Sequence, residues 1–161
     1  MEPAGLRCGF LICADVGYTA PARILALRGA RVIFAPHFNT IAAARLIPHF
    51  MKVRADHTAR AIENSVYFVR GNNVVLDPAK TGIHRQPEPV GYGDSYVIDP
   101  NGEILVRSRR HVEDFMVAEV DPNHPAEMAW GQPKSAWSFR EFHTLVEAAL
   151  ASQRPDDAPR P

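Results

Sequence analysis

Cys13 is the residue from which covalent chemistry could start in this chain. It closes an apolar run, residues 6–13 (LRCGFLIC), and is followed by Ala14, Asp15 and Gly17. A thiol is a modest nucleophile until a base takes its proton and fixed donors hold the oxyanion its attack creates. Most free cysteines are small buried hydrophobes, and Cys8, inside the same run, takes that reading. Cys13 stands instead at the end of the run, next to a carboxylate and near a glycine. Asp15 suits a bracing role there, bonding local N–H groups of the turn after the thiol. His37 follows a second apolar run. A Cys–His pair would make a thiolate without any carboxylate base; the plainer alternative is a polar loop residue beside Pro36.

Position decides what these residues can do together. Residues 6–13 have no helical period and read as a buried strand. Residues 20–28 follow as a helix, with Pro21 tolerable in a first turn, Ile24, Leu25 and Leu27 as an apolar stripe, and Gly29 where a C-cap is expected. Residues 31–35 are a second strand, stopped by Pro36. Strand, helix and strand of these lengths make a parallel βαβ unit with a right-handed crossover. Cys13 and His37 then leave the sheet on one edge, and in open parallel sheets that edge binds ligands.

Farther along, residues 39–51 read as a loop with a short helical turn broken at Pro48. Residues 52–65 read as a helix and 66–72 as a third strand, continuing the α/β alternation. Residues 77–92, with Pro78, Gly82, Pro87, Pro89 and Gly91, read as a long loop over the reactive edge. Residues 95–99 and 103–107 flank Pro100-Asn101-Gly102 as an antiparallel hairpin. Residues 115–121 alternate as a further strand, and residues 136–151 form a C-terminal helix with Phe139, Phe142, Leu145, Val146 and Leu150 on its apolar face. The tail 153–161 has the composition of a disordered segment.

A chain of 161 residues with 46% hydrophobic content can bury one core. Its 18 basic and 18 acidic residues cancel, which argues against a nucleic-acid or anionic-membrane surface. No apolar run is long enough to span a bilayer, and no basic region feeds an apolar leader, so a cytoplasmic location is the expectation. Cys8 and Cys13, five apart on one strand, point to opposite faces and are not placed to bridge. Their spacing, with no paired histidines, does not suggest a zinc site. Neither a metal nor a cofactor is expected. His57, His84, His111, His124 and His143 are scattered singly and read as surface or cap residues. Arg60 and Glu63 lie three apart on one helical face, a spacing that suits either a solvated pair or a brace for neighbouring loops.

Three segments carry a resemblance. Cys13, Asp15, Tyr18 and Arg23, in CADVGYTAPAR, are similar to the nucleophile segment of the nitrilase, or carbon–nitrogen hydrolase, superfamily, which reads C-x-D-x-x-F-P-E-x-x-R between an apolar strand and a helix ending in Gly-Ala. Arg60, Ala61, Glu63 and Asn64 resemble its R-A-x-E-N helix. Gly93, Ser95, Pro100 and Gly102, in GYGDSYVIDPNGEIL, resemble its G-x-S-x-I-x-D-P-x-G hairpin. The three stand in the family's order and cover roughly residues 6–121. The resemblance implies an α/β fold that is part of an α-β-β-α sandwich, its mixed sheet starting with the parallel βαβ unit and carrying the antiparallel hairpin. It also implies hydrolysis of a small non-peptide amide or nitrile through a cysteine thioester. By resemblance Cys13 is the nucleophile, the Ala14 N–H is an oxyanion donor, and Asp15, Arg23, Arg60 and Glu63 support the site.

The family's base glutamate and oxyanion lysine lie upstream of its cysteine. Here twelve residues precede Cys13, Glu2 is the only candidate among them, and no lysine comes before Lys52. Thr19-Ala20 replaces the family's Pro-Glu, which leaves Arg23 without that acidic neighbour. Residues 1–152 therefore read as a partial domain matching the C-terminal half, with His37 as the candidate substitute base. Two functions are expected from this. One is a truncated hydrolase, weak or inactive alone, that works as a homo-oligomer or with a complementing N-terminal half. The other is a non-catalytic module that dimerises or completes a partner, with Trp130, Trp137 and Phe139 as aromatic anchors.

Overall fold

The computed structural model describes residues 5–75, 77, 79, 89–121, 123, 127–128, 132–133 and 136–152. β1 (Cys8–Phe10), α1 (Thr19–Leu27) and β2 (Val32–His37) form the parallel unit, with Cys8 opposite Val32 and Phe10 opposite Phe34. Pro21 lies in the first turn of α1, where its missing N–H breaks no helix bond. Gly29, at φ +90°, ends the helix. Its N–H reaches the Ala26 carbonyl at 2.9 Å, and that of Ala30 reaches Leu25 at 3.0 Å.

β4 (Tyr67–Asn72) pairs parallel to β2, and β6 (Tyr96–Ile98) and β7 (Ile104–Arg107) continue antiparallel, giving the order β1-β2-β4-β6-β7. The register sets Ile33, Phe68 and Ile98 in one row and Ala35, Arg70 and Tyr96 in the next. Alternation places both rows on one face, where the apolar members pack with Ala22 and Ala26 of α1 and with Ala61 into the core. The opposite face carries Phe10 stacked on Phe34 at 5.4 Å between ring centroids, and Phe10 remains 51% exposed. That face is only partly covered.

Four segments differ from their sequence reading. Pro36 does not stop β2, which runs on to His37 with Pro36 opposite Gly71 and His37 opposite Asn72 of β4. Residues 39–51 are not a loop: β3 (Thr40–Ala42) and a 3-10 turn (Ala43–Arg45) lead into a single helix, α2 (Leu46–Asn64). Pro48 is the third residue of α2, inside the first turn, where the N–H it lacks would have had no helical partner. The end of the 77–92 loop forms β5 (Pro89–Gly91), antiparallel to β3; most of the rest of that loop lies outside the described residues. Residues 115–121 belong to no strand: none of them pairs in a ladder among the described residues. Phe115 and Val117 are consequently 88% and 74% exposed.

The hairpin turn is as the sequence reads. Asp99 Oδ1 accepts the N–H of Asn101 at 2.9 Å and of Glu103 at 2.8 Å, while Gly102 takes φ +91°. Beyond it come the two-residue strands β8 (Glu127–Met128) and β9 (Gln132–Pro133), then α3 (Ala136–Ala151), which leaves Leu145 and Leu150 exposed. The tail 153–161, Trp130, and the side chains of Trp137, Phe139 and Phe142 lie outside the described residues. No helix among the described residues is long and apolar enough to cross a membrane.

Candidate active site

The β1 ladder runs one step past the strand, through the Leu11 N–H to the Phe34 carbonyl at 3.0 Å, and the chain then turns sharply. Cys13 opens a 3-10 turn (Cys13–Gly17) at φ +50°. That left-handed conformation is uncommon for a side chain other than glycine, asparagine or aspartate, and it persists only where its surroundings enforce it. Two contacts do so. Asp15 Oδ2 accepts the Ile12 N–H at 2.9 Å, folding the turn back on its own start, and Val16 is buried in the core. The first 3-10 bond runs from the Asp15 N–H to the Ile12 carbonyl at 3.1 Å, so the helical pattern leaves the Ala14 N–H free to face solvent. Ala14 is exposed and the Cys13 thiol half-buried and reduced.

The neighbour of that thiol is Asn39, whose Nδ2 donates to Sγ at 3.8 Å. Asn39 follows the end of β2 and is tied on its other sides. Its N–H reaches Asn72 Oδ1 at 2.9 Å, and its Oδ1 accepts from Arg70 Nη2, also at 2.9 Å. Arg70 is fully buried, donating to the backbone carbonyls of Gly93 and Asp94 and, at 3.0 Å, to the Tyr92 hydroxyl. The Asp94 carboxylate is used elsewhere: Arg54 Nη2 reaches it at 2.6 Å and Arg110 Nε at 3.2 Å. Sequence reading passed over Asn39, Arg70 and Asp94. A signal existed for Arg70, since a cation inside the apolar run VYFVRGN cannot lie in a buried strand without dedicated acceptors.

His37 ends β2 three residues after Phe34, as Cys13 follows Phe10 by three. The side chains nonetheless make different contacts. His37 Nδ1 lies 2.8 Å from the Ala35 carbonyl, and its ring packs on His57 with centroids 5.0 Å apart. A carbonyl only accepts, so Nδ1 holds the ring proton. Burial, helped by the Arg70 charge, lowers the His37 pKa to about 4. His57 is not the surface residue its isolation in the sequence suggests. It is buried between Phe68 and Tyr96, with Nδ1 2.8 Å from the Tyr96 hydroxyl, and burial lowers its pKa to about 2. Burial drives the Tyr96 hydroxyl upward.

Arg60 Nη1 pairs with Glu63 Oε1 at 2.8 Å and is itself buried, so the pair braces the α2 face toward the core. Arg23 is half-buried and has no ion pair among the described residues. His111 and His143 are exposed; His84 and His124 lie outside the described residues. A cavity of about 340 Å3 lined by Asn72, Gly93, Ser95, Ser108, Glu113 and Asp114 does not include Cys13, although Asn72 bonds the backbone of Asn39. No cluster of metal-ligating side chains occurs among the described residues.

The model of the carbon-nitrogen hydrolase family matches residues 1–129. Among curated proteins, the nitrilase and fragile histidine triad fusion protein of Caenorhabditis elegans is 30% identical over 139 residues, which are 86% of this chain and 28% of that protein. The nitrilase of Pyrococcus abyssi is 31% identical, over 72% of this chain and 37% of its own length, and the omega-amidase of Saccharomyces cerevisiae is 30% identical, over 72% and 35%. The chain thus spans less than half the length of the curated relatives it matches. Among solved structures, a carbon-nitrogen hydrolase from Helicobacter pylori superposes with a TM-score of 0.65 at 21% identity, over 98% of this chain and 49% of that one.

Proposed function

The chain belongs to the carbon–nitrogen hydrolase family, and on that premise we propose that it holds the nucleophile side of such a hydrolase site, in the position of the family domain's C-terminal half. The substrate class is a small non-peptide amide or nitrile. On an amide, the Cys13 thiolate attacks the carbonyl carbon, the C–S bond forms, and the C–N bond breaks as the nitrogen leaves with a proton. Water then cleaves the thioester, releasing the carboxylic acid and restoring the thiol. The Ala14 N–H faces the developing oxyanion. The base glutamate and the oxyanion lysine have no counterpart upstream of Cys13 in these 161 residues. They come from an amino-terminal half, joined to this chain or supplied by another, and without it activity is weak or absent.

The observation that supports this reading is the positive φ of Cys13 at the end of a parallel strand, with its thiol half-buried and Ala14 exposed beside it. The test is ammonia release from short amides, ω-amides and nitriles. Three samples are compared: the chain alone, the chain joined to a family amino-terminal half carrying the glutamate and lysine, and that assembly with Cys13→Ser. Turnover is expected only in the second. Cys13-dependent turnover by the chain alone overturns the need for a complement, and none in any arrangement overturns the hydrolase reading.

The exposure of Phe10, Ile12, Phe115 and Val117 favours a second reading, a non-catalytic module that dimerises or completes a partner. Sedimentation of the purified chain tests it. A concentration-independent monomer counts against self-association.

A further inference from the structure

The geometry points to Asn39 as a further catalytic residue, a fixed side-chain donor to the Cys13 sulfur, with the buried guanidinium of Arg70 as the residue that positions it. This rests on Cys13 being the nucleophile. An asparagine side chain presents one accepting and one donating end, and nothing local dictates which end meets the thiol. Arg70 settles it. Its Nη2 donates to Oδ1, which leaves Nδ2 as the end facing Sγ at 3.8 Å. The backbone is pinned as well, through the bond from the Asn39 N–H to Asn72. The donor is therefore held in place before the thiol ionises.

Arg70 has a further property that suits this task. Its contacts are two backbone carbonyls, the Tyr92 hydroxyl and the Asn39 amide oxygen, while the nearby Asp94 carboxylate bonds Arg54 and Arg110. Its Nε is buried without a partner. The cation is thus not cancelled by any carboxylate among its bonds, and a buried charge polarises the hydrogen bonds attached to it. Guanidinium, amide and sulfur form a chain in which negative charge on Sγ is favoured at the far end. His37, half-buried, and His57, buried, lie near Arg70 but are held neutral, so they add no positive charge of their own.

Alkylation of Cys13 by iodoacetamide, followed at peptide level so that Cys8 is counted separately, reads this directly because only the thiolate reacts. Asn39→Ala removes the donor and is expected to slow alkylation about fivefold at a fixed, mildly alkaline pH. Asn39→Asp keeps the acceptor for Arg70 but presents an oxygen to the sulfur, and is expected to slow it further. Arg70→Lys is expected to slow alkylation when Asn39 is present and to add nothing in the Asn39→Ala background. An Asn39→Ala rate equal to that of the native chain, or an Asn39→Asp rate at or above that of Asn39→Ala, overturns the donor role. Equal losses for Arg70→Lys in both backgrounds overturn the positioning role. If Arg70→Lys does not fold, the two Asn39 variants decide alone. No hydrolysis is needed for the measurement, so a chain that fails to cleave amides but shows this order of rates separates the failure of the hydrolase reading from the failure of this one.

Discussion

At the scale of single residues, Cys13 and His37 differ in the partners their side chains meet. Each lies three residues beyond the paired Phe10 and Phe34, yet the imidazole contacts Ala35 and His57 while the thiol contacts Asn39. A ring whose Nδ1 proton is committed to a backbone carbonyl, and whose pKa burial lowers to about 4, is a weak base for a thiol near neutral pH. His37→Ala is therefore expected to leave the pH profile of Cys13 alkylation unchanged within about twofold. A profile that moves on this substitution would reinstate the histidine as base. His57 illustrates a related effect: histidines isolated in the chain are gathered only when β2, α2 and β6 come together.

Among the elements, the hairpin and α2 are bound by two close contacts. The Gly102 turn lies on α2, and a Cβ built there would come within 2.6 Å of Ile62 Cδ1 in a backbone conformation that already disfavours a side chain. Gly102→Ala is expected to lower stability by about 2 kcal/mol, read as a shift in urea midpoint at constant slope. Asp94, buried and at φ +60°, joins Arg54 of α2 to Arg110 beyond β7. Asp94→Ala loses the carboxylate and strains the backbone, and is expected to cost about 2–4 kcal/mol. Asp94→Asn tolerates the same φ and can still accept one bond, so its loss should be smaller. Equal losses for the two would mean that the ion pairs alone matter. Gly102 stood in the hairpin motif and Asp94 did not; that either bears on α2 was not visible in the sequence, because the contacts join residues 40 positions apart.

For the molecule as a whole, two neutral histidines, half-buried His37 and buried His57, set a pH dependence. The His37 and His57 pKa values, about 4 and about 2 against an ordinary 6.5, mean that the unfolded chain binds more protons than the folded one as pH falls below 6.5. Stability is complete above that value and declines on acidification, with His37 ceasing to contribute below about pH 4 and His57 continuing to about pH 2. Each histidine adds at most ~1.4 kcal/mol per pH unit within its window. Urea unfolding at successive pH values should show this slope, and His57→Phe should flatten it while lowering stability at neutral pH, since the Tyr96 hydroxyl loses its partner. Stability that stays level between pH 6.5 and 4 would contradict the lowered pKa values of both rings.

Periodicity and turn chemistry were enough to place β1, α1, β2, β4, the β6–β7 hairpin and α3, because each is set by apolar spacing or by glycine and proline at defined positions. The family motifs, likewise local, drew attention to Cys13, Asp15, Arg60 and Glu63, which lie in the 3-10 turn after β1 and on α2. Pro48 misled the reading because proline stops a helix only away from its first turn, and where α2 begins depends on β3, whose partner β5 lies far along the chain. Residues 115–121 misled it because alternation describes a strand's faces, while a strand exists only beside another. The Asn39–Arg70 arrangement around the thiol was beyond any local reading: its members come from separate segments, and only the packed sheet decides which polar group each buried atom meets.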